Sequence, residues 1–150
     1  MLTGGFFQQY ILVIPIITWL VSQGIKVLVY ARYRSLTGFR EIFKSGGMPS
    51  AHTSFMLSLA VAVGLKEGFF STIFSVTIAL AGIVVYDAMH VRMEAGKHAE
   101  ILNEMYKDRE TNSSSLGQYF PLETSIGHTF YEVLGGGALG IYIGIMLFFL

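Results

Sequence analysis

The sequence has no cysteine, which excludes disulfide frameworks, thiolate metal sites and cysteine nucleophiles. It is also short of charge. Asp, Glu, Lys and Arg make up 13% of the chain, about half the share in an ordinary soluble domain. Ten basic and ten acidic residues cancel, leaving no positive field to gather nucleic acid. Disorder needs low hydrophobicity and high net charge, and this chain has the opposite balance. What it has is 53% hydrophobic residues over 150 positions and a mean hydropathy of +0.57. That describes one small membrane domain.

Four apolar stretches account for this balance. Tyr10 to Tyr30 is interrupted only by Ser22, Gln23 and Lys26 near its end. Ala51 to Leu65 falls short of the ~20 residues of a bilayer crossing unless it begins near Pro49 and ends at Lys66. Gly68 to Met89 and Gly127 to Leu150 complete the set. All are too continuous for surface helices and too apolar for the alternating strands of a membrane barrel. The expectation is an all-α integral membrane fold with spans at about 10–30, 49–66, 68–89 and 127–150. Polar connections fill 31–48 and 90–126, and a tight hairpin at Gly64–Gly68 joins the middle spans. Residues 1–9 carry no Lys or Arg, unlike the basic start of a signal peptide.

Four crossings put both long connections on one side. That side holds Lys26, Arg32, Arg34, Arg40, Lys44, Arg92, Lys97, Lys107 and Arg109, whereas Lys66 stands alone on the other. The bias predicts cytoplasmic long connections and outward-facing termini. Val91 to Tyr106, rich in Glu, Lys, Ala and Met, reads as a cytoplasmic helical extension of the third span. Thr111 to Ser115 reads as a polar loop.

Three segments carry chemistry. Ser45-Gly46-Gly47-Met48-Pro49-Ser50-Ala51-His52 opens the second span with glycines, hydroxyls and a proline suited to the first helical position. Free N–H groups there, aided by the helix dipole and Lys44, make an anion cradle. The plainer reading is a helix cap with a loose entry. Gly127-His128-Thr129-Phe130-Tyr131-Glu132 opens the fourth span, with His128 and Glu132 at i and i+4 on one helix face. Glu132 then lies ~6 Å of helix rise below His128, where an unpaired carboxylate costs up to ~2.5–3.5 kcal/mol. A carboxylate that orients an imidazole makes it a better base or nucleophile. The plainer reading is a pair that only holds helices together. Asp87 ends the third span with Arg92 and Lys97 beyond it, and both cations suit phosphate oxygens as well as they mark an interface. Topology gathers Lys26, Lys44, Ser50, His52, Asp87, Arg92, Lys97, His128 and Glu132 at the cytoplasmic face.

Other features compete for attention. His90, Glu94 and His98 share i, i+4, i+8 spacing, but the outer two are ~12 Å apart along a helix and wrap a metal poorly. No metal or other cofactor is expected. Gly135, Gly136, Gly137, Gly140 and Gly144 suit close packing, within the fold or between two copies. Trp19 and the other aromatics read as packing or interfacial belts.

Gly47-Met48-Pro49-Ser50-Ala51-His52 resembles the Pro-Ser-Gly-His motif of type 2 phosphatidic acid phosphatases and vanadium haloperoxidases. His128-x-x-x-Glu132 resembles their later His-x-x-x-Asp. The chain looks like the short divergent branch of that superfamily. There a Gly-Gly-Met-Pro-Ser string, a Tyr-Asp-Ala…Val-Arg…Ala-Gly-Lys segment and a Gly-His-Thr…Glu-Val segment recur in this order. The resemblance implies that His128 attacks phosphorus, Glu132 holds its tautomer, and His52 protonates the leaving alcohol, with no metal needed. Two arginine motifs of the superfamily are absent. Lys26 is followed by Arg32 and Arg34 at other spacings without proline, and Pro121-Leu122 stands where Ser-Arg would precede the nucleophile. Lys44, Gly46, Gly47, Ser50, Arg92 and Lys97 are the expected phosphate-binding set, with Asp87 and Lys26 in support.

Two functions follow as expectations. The first is a lipid phosphate phosphatase acting on a phosphomonoester headgroup at the cytoplasmic leaflet. The second is a non-catalytic membrane protein that binds an anionic headgroup or a partner, the glycine-rich fourth span offering a surface for a second copy. A transporter is weaker, because no pair of broken helices is evident.

Overall fold

A computed structural model describes residues 5–33, 47–108, 120–124 and 126–150. Lys44, Gly46, Arg34, Arg40, Arg109 and the Thr111–Ser115 stretch lie outside the described residues. The described chain is helical, without strands. A single turn, α1 (Phe6–Gln9), precedes α2 (Val13–Tyr33), α3 (Ala51–Glu67) and α4 (Thr72–Tyr86). A π-helical turn at Asp87–Val91 leads without a break into α5 (Arg92–Asp108), and α6 (Phe130–Phe148) closes the bundle.

Helix α3 is the hub, packed against α2, α4 and α6. Its inward face carries little bulk: Ser50, Ser54 and Ser58 stand one turn apart, opposite Gly136, Gly140 and Gly144 of α6. A Cβ at Gly140 would stand 2.5 Å from the Ser54 carbonyl oxygen, so only glycine permits this approach. Buried serine hydroxyls bond their own helix, Ser54 Oγ donating to Ser50 O at 2.8 Å and Ser58 Oγ to Phe55 O at 2.9 Å. The small-residue face of α6 is thus covered within the chain.

At the far end Ile14, Ala62 and Phe148 form an apolar cluster. The α3–α4 turn lies nearby at Gly68, whose φ of +92° ends α3, and Ser71 caps α4 through Phe74 N. From Thr72 to Lys107 the helix runs for 36 residues, about 54 Å at the standard rise, against ~30 Å of hydrocarbon. Only 17% of its most apolar window is buried, and 28% of that of α6. A core helix of a soluble protein would be covered; these present Ile73, Val76, Leu80, Ile83, Leu134 and Ile141 outward. These two helices are long and apolar enough to cross a membrane, and Val13–Val29 is a shorter apolar helix.

The segment before α6 returns along α5. Asn103 grips the Leu122 backbone on both sides, Nδ2 donating to its carbonyl at 2.9 Å and Oδ1 accepting from its N–H at 2.8 Å. Tyr106 and Phe120 stack with ring centroids 4.2 Å apart.

Candidate active site

The two helix starts expected to carry chemistry are tied to each other. Ser50 is the N-cap of α3: its Oγ accepts from Thr53 N at 3.4 Å and Thr53 Oγ1 at 3.0 Å, and its N–H donates to Glu132 O at 2.9 Å. Pro49 therefore precedes the cap instead of occupying the first helical position, because the Ser50 hydroxyl satisfies the end of the helix. The Ser50 N–H counted in the anion cradle is already engaged, while its hydroxyl oxygen accepts within the cap. Gly47 lies just ahead with φ +87°.

Helix α6 begins three residues later than its hydropathy suggests. Thr129 is the N-cap and Glu132 the third helical residue of a capping box. Glu132 Oε2 accepts from Thr129 N at 2.9 Å and lies 3.2 Å from His128 Nδ1. His128 is thus outside the helix, and the carboxylate reaches back to it rather than lying a turn below. The sequence Thr129-x-x-Glu132 carries the signature of this cap, a signal passed over in reading the pair as i, i+4 on one face.

The π turn completes the enclosure. His128 N donates to Ala88 O at 3.0 Å within it. In a π turn residues five apart come together, and Arg92 Nε donates to Asp87 Oδ2 at 2.7 Å. Neither the turn nor the Ala88 carbonyl leaves a side-chain signal in the sequence.

His128 is 2% exposed. With Nδ1–H given to the carboxylate, Nε2 is the lone-pair nitrogen, and it is buried without a hydrogen-bond partner among the described residues. The His52 ring lies edge-on, its centroid 6.2 Å from that of His128, and His52 is exposed. Lys26, 4% exposed on α2, is within electrostatic reach of Glu132 and both histidines. Arg92 and Asp87 are also within electrostatic reach of His52, with opposite sign. One turn before Lys26, Gln23 Oε1 is also buried with no partner among the described residues. By sequence Gln23 is an interruption of a span; the burial of its Oε1 beside a buried cation is known only from the packed structure.

Lys97 stands apart. It pairs with Glu94 at 2.7 Å on the exposed side of α5, and this hydrogen bond and charge hold the Glu94 carboxyl below its usual value. His90 stacks on Tyr86 at 4.6 Å. Among the described residues no three His, Asp or Glu side chains converge as metal ligands, the His90, Glu94 and His98 trio included.

Residues 7–143, nearly the whole described bundle and its connections, match the family described as Divergent PAP2. The chain belongs to that family. It is also 32% identical over 118 residues to "Uncharacterized membrane protein YuiD" of Bacillus subtilis (strain 168), covering 71% of this chain and 73% of the relative. No solved structure matches. This divergent PAP2 protein is therefore a PAP2-related, membrane-associated helical protein.

Proposed function

We propose that this divergent PAP2 protein is a metal-independent phosphomonoesterase for lipid phosphates, acting through a histidine nucleophile at the cytoplasmic face. The observation that carries the reading is the state of His128. Its Nδ1 is held by Glu132, and its Nε2 is buried beside His52 with no partner among the described residues. Nε2 attacks phosphorus as the P–O bond to the lipid alcohol breaks, and His52 gives its proton to the leaving oxygen. Water, losing a proton to His52, then attacks the phosphohistidine and releases inorganic phosphate. The role of Glu132 is to keep Nδ1 protonated and to balance the charge that develops on the ring. Lys26 and Arg92 offset charge on the transferred group. Lys44, Gly46 and Gly47 belong to the reading as contributors from the sequence just ahead of α3, and Lys97 as a cation at the rim.

Four crossings with cytoplasmic long connections and outward termini fit this site. The nine-to-one distribution of cations supports that sidedness. It sets both histidines near headgroup level, where a substrate reacts while its chain stays in lipid. A second reading, an anionic-headgroup binder without turnover, draws on one observation: the Arg92 guanidinium is engaged with Asp87, leaving less charge for a transition state.

The deciding experiment is phosphate release from lipid phosphates by purified protein in mixed micelles with EDTA, beside His128→Ala. The expected result is turnover that survives EDTA and falls by roughly 10³ or more in the variant. Folded protein that binds lipid phosphate without releasing phosphate would favour the binder.

A further inference from the structure

A cleft of about 300 Å³ between α2, α3 and α4 is lined by Trp19, His52, Phe55, Met56 and Val84. Apart from His52 its walls are apolar, and it reaches the size at which small-ligand sites begin. One end is the histidine that the proposed reaction uses as acid. The other lies deeper: Ser22 of α2 donates to Pro49 O at 3.4 Å, and Trp19 is almost one turn beyond Ser22, away from Lys26. A second cleft of about 390 Å³, between α3, α4 and α6, has neither histidine in its wall. Of these two clefts, the first has a site histidine in its wall and continues the site.

In phosphoryl transfer the acid must touch the leaving oxygen, so the carbon bonded to that oxygen lies beside it. We propose that the cleft seats the first carbons of the single chain attached to the leaving oxygen, with Trp19 as its floor and specificity wall. The inference rests on the phosphatase reading. It assigns Trp19 a ligand contact in place of general packing.

Trp19 is the sole tryptophan of the chain, so its fluorescence reports on this one position in the cleft wall, and comparison with an alcohol subtracts quenching from the micelle. The probe is an alkyl phosphonate brominated near the head, which resists hydrolysis; its comparison is the equally brominated alkyl alcohol, both in detergent micelles. Expected is saturable quenching by the phosphonate at a mole fraction roughly tenfold lower than for the alcohol, the scale of one hydrogen bond to a charged group. An unbrominated alkyl phosphonate should relieve it. Val84→Phe, which fills the cleft, should erase the difference in protein whose circular dichroism remains helical.

Equal quenching by both probes overturns the proposal, as does headgroup selectivity that survives Val84→Phe. Selective wild-type quenching decides for it should the variant fail to fold. Phosphate release from an alkyl phosphate by the same preparation separates the two ideas. Selective quenching without release keeps the chain seat and sinks the phosphatase; release without selective quenching does the reverse.

Discussion

Glu132 joins a structural role to a chemical one through a single oxygen. Oε2 caps the Thr129 N–H and lies against His128 Nδ1, and two substitutions separate these roles. Glu132→Gln keeps a side chain that can complete a capping box but removes the charge behind the imidazole. Phosphate release should fall by roughly 10²–10⁴, while the thermal midpoint in detergent stays close to wild type. Thr129→Ala should cost about 1 kcal/mol of stability and leave more of the turnover. If the two variants lost activity equally, the separation would be refuted. Lys26→Met tests the buried cation. Removing one preorganised charge should lower kcat by roughly 10²–10³, with stability unchanged or raised because no ammonium has to be desolvated. Both histidines, Glu132 and Lys26 were legible as residues, since charge is scarce in apolar spans. Gln23 was not, because a lone amide near a helix end is ordinarily solvated.

Among the elements, α3 and α6 set the precision of the site, since His52 lies in the first turn of α3 and His128 directly precedes Thr129, the N-cap of α6. Their serine and glycine faces allow an approach that Gly140→Ala should break: the new Cβ meets Ser54 O at 2.5 Å with only backbone to move. The expected cost is about 1–3 kcal/mol, read as a lower unfolding midpoint together with lost turnover. Gly82→Ala on α4 meets nothing within 4 Å and should be neutral or stabilising by up to about 1 kcal/mol. Equal effects of the two would contradict this packing. The stripe of small residues was visible as a repeat, but a repeat does not say whether its partner is another helix or another copy. The π turn had no visible precursor at all. It depends on His128 N finding Ala88 O across the bundle, a contact between residues 40 positions apart.

For the molecule as a whole, the absence of cysteine makes sidedness directly measurable. Glu67→Cys, at the last residue of α3 before the turn to α4, should react with a membrane-impermeant thiol reagent from outside intact cells. Glu100→Cys, on α5, should react only after permeabilisation. The reverse pattern, or both on one side, would overturn the proposed orientation. Hydropathy and the distribution of ten cations were enough to expect an all-helical membrane chain, to place its apolar runs and to bring two histidine motifs to one face. These are properties of composition and order, which lipid and water read segment by segment. Where α6 starts was decided by the Thr129–Glu132 cap, which moved His128 out of the helix and left its Nε2 without a partner among the described residues. That Trp19 and His52 bound one cleft was decided by the packing of α2 and α4 on α3. Such facts depend on contacts between residues far apart in the chain, and no local pattern encodes them until the helices have packed.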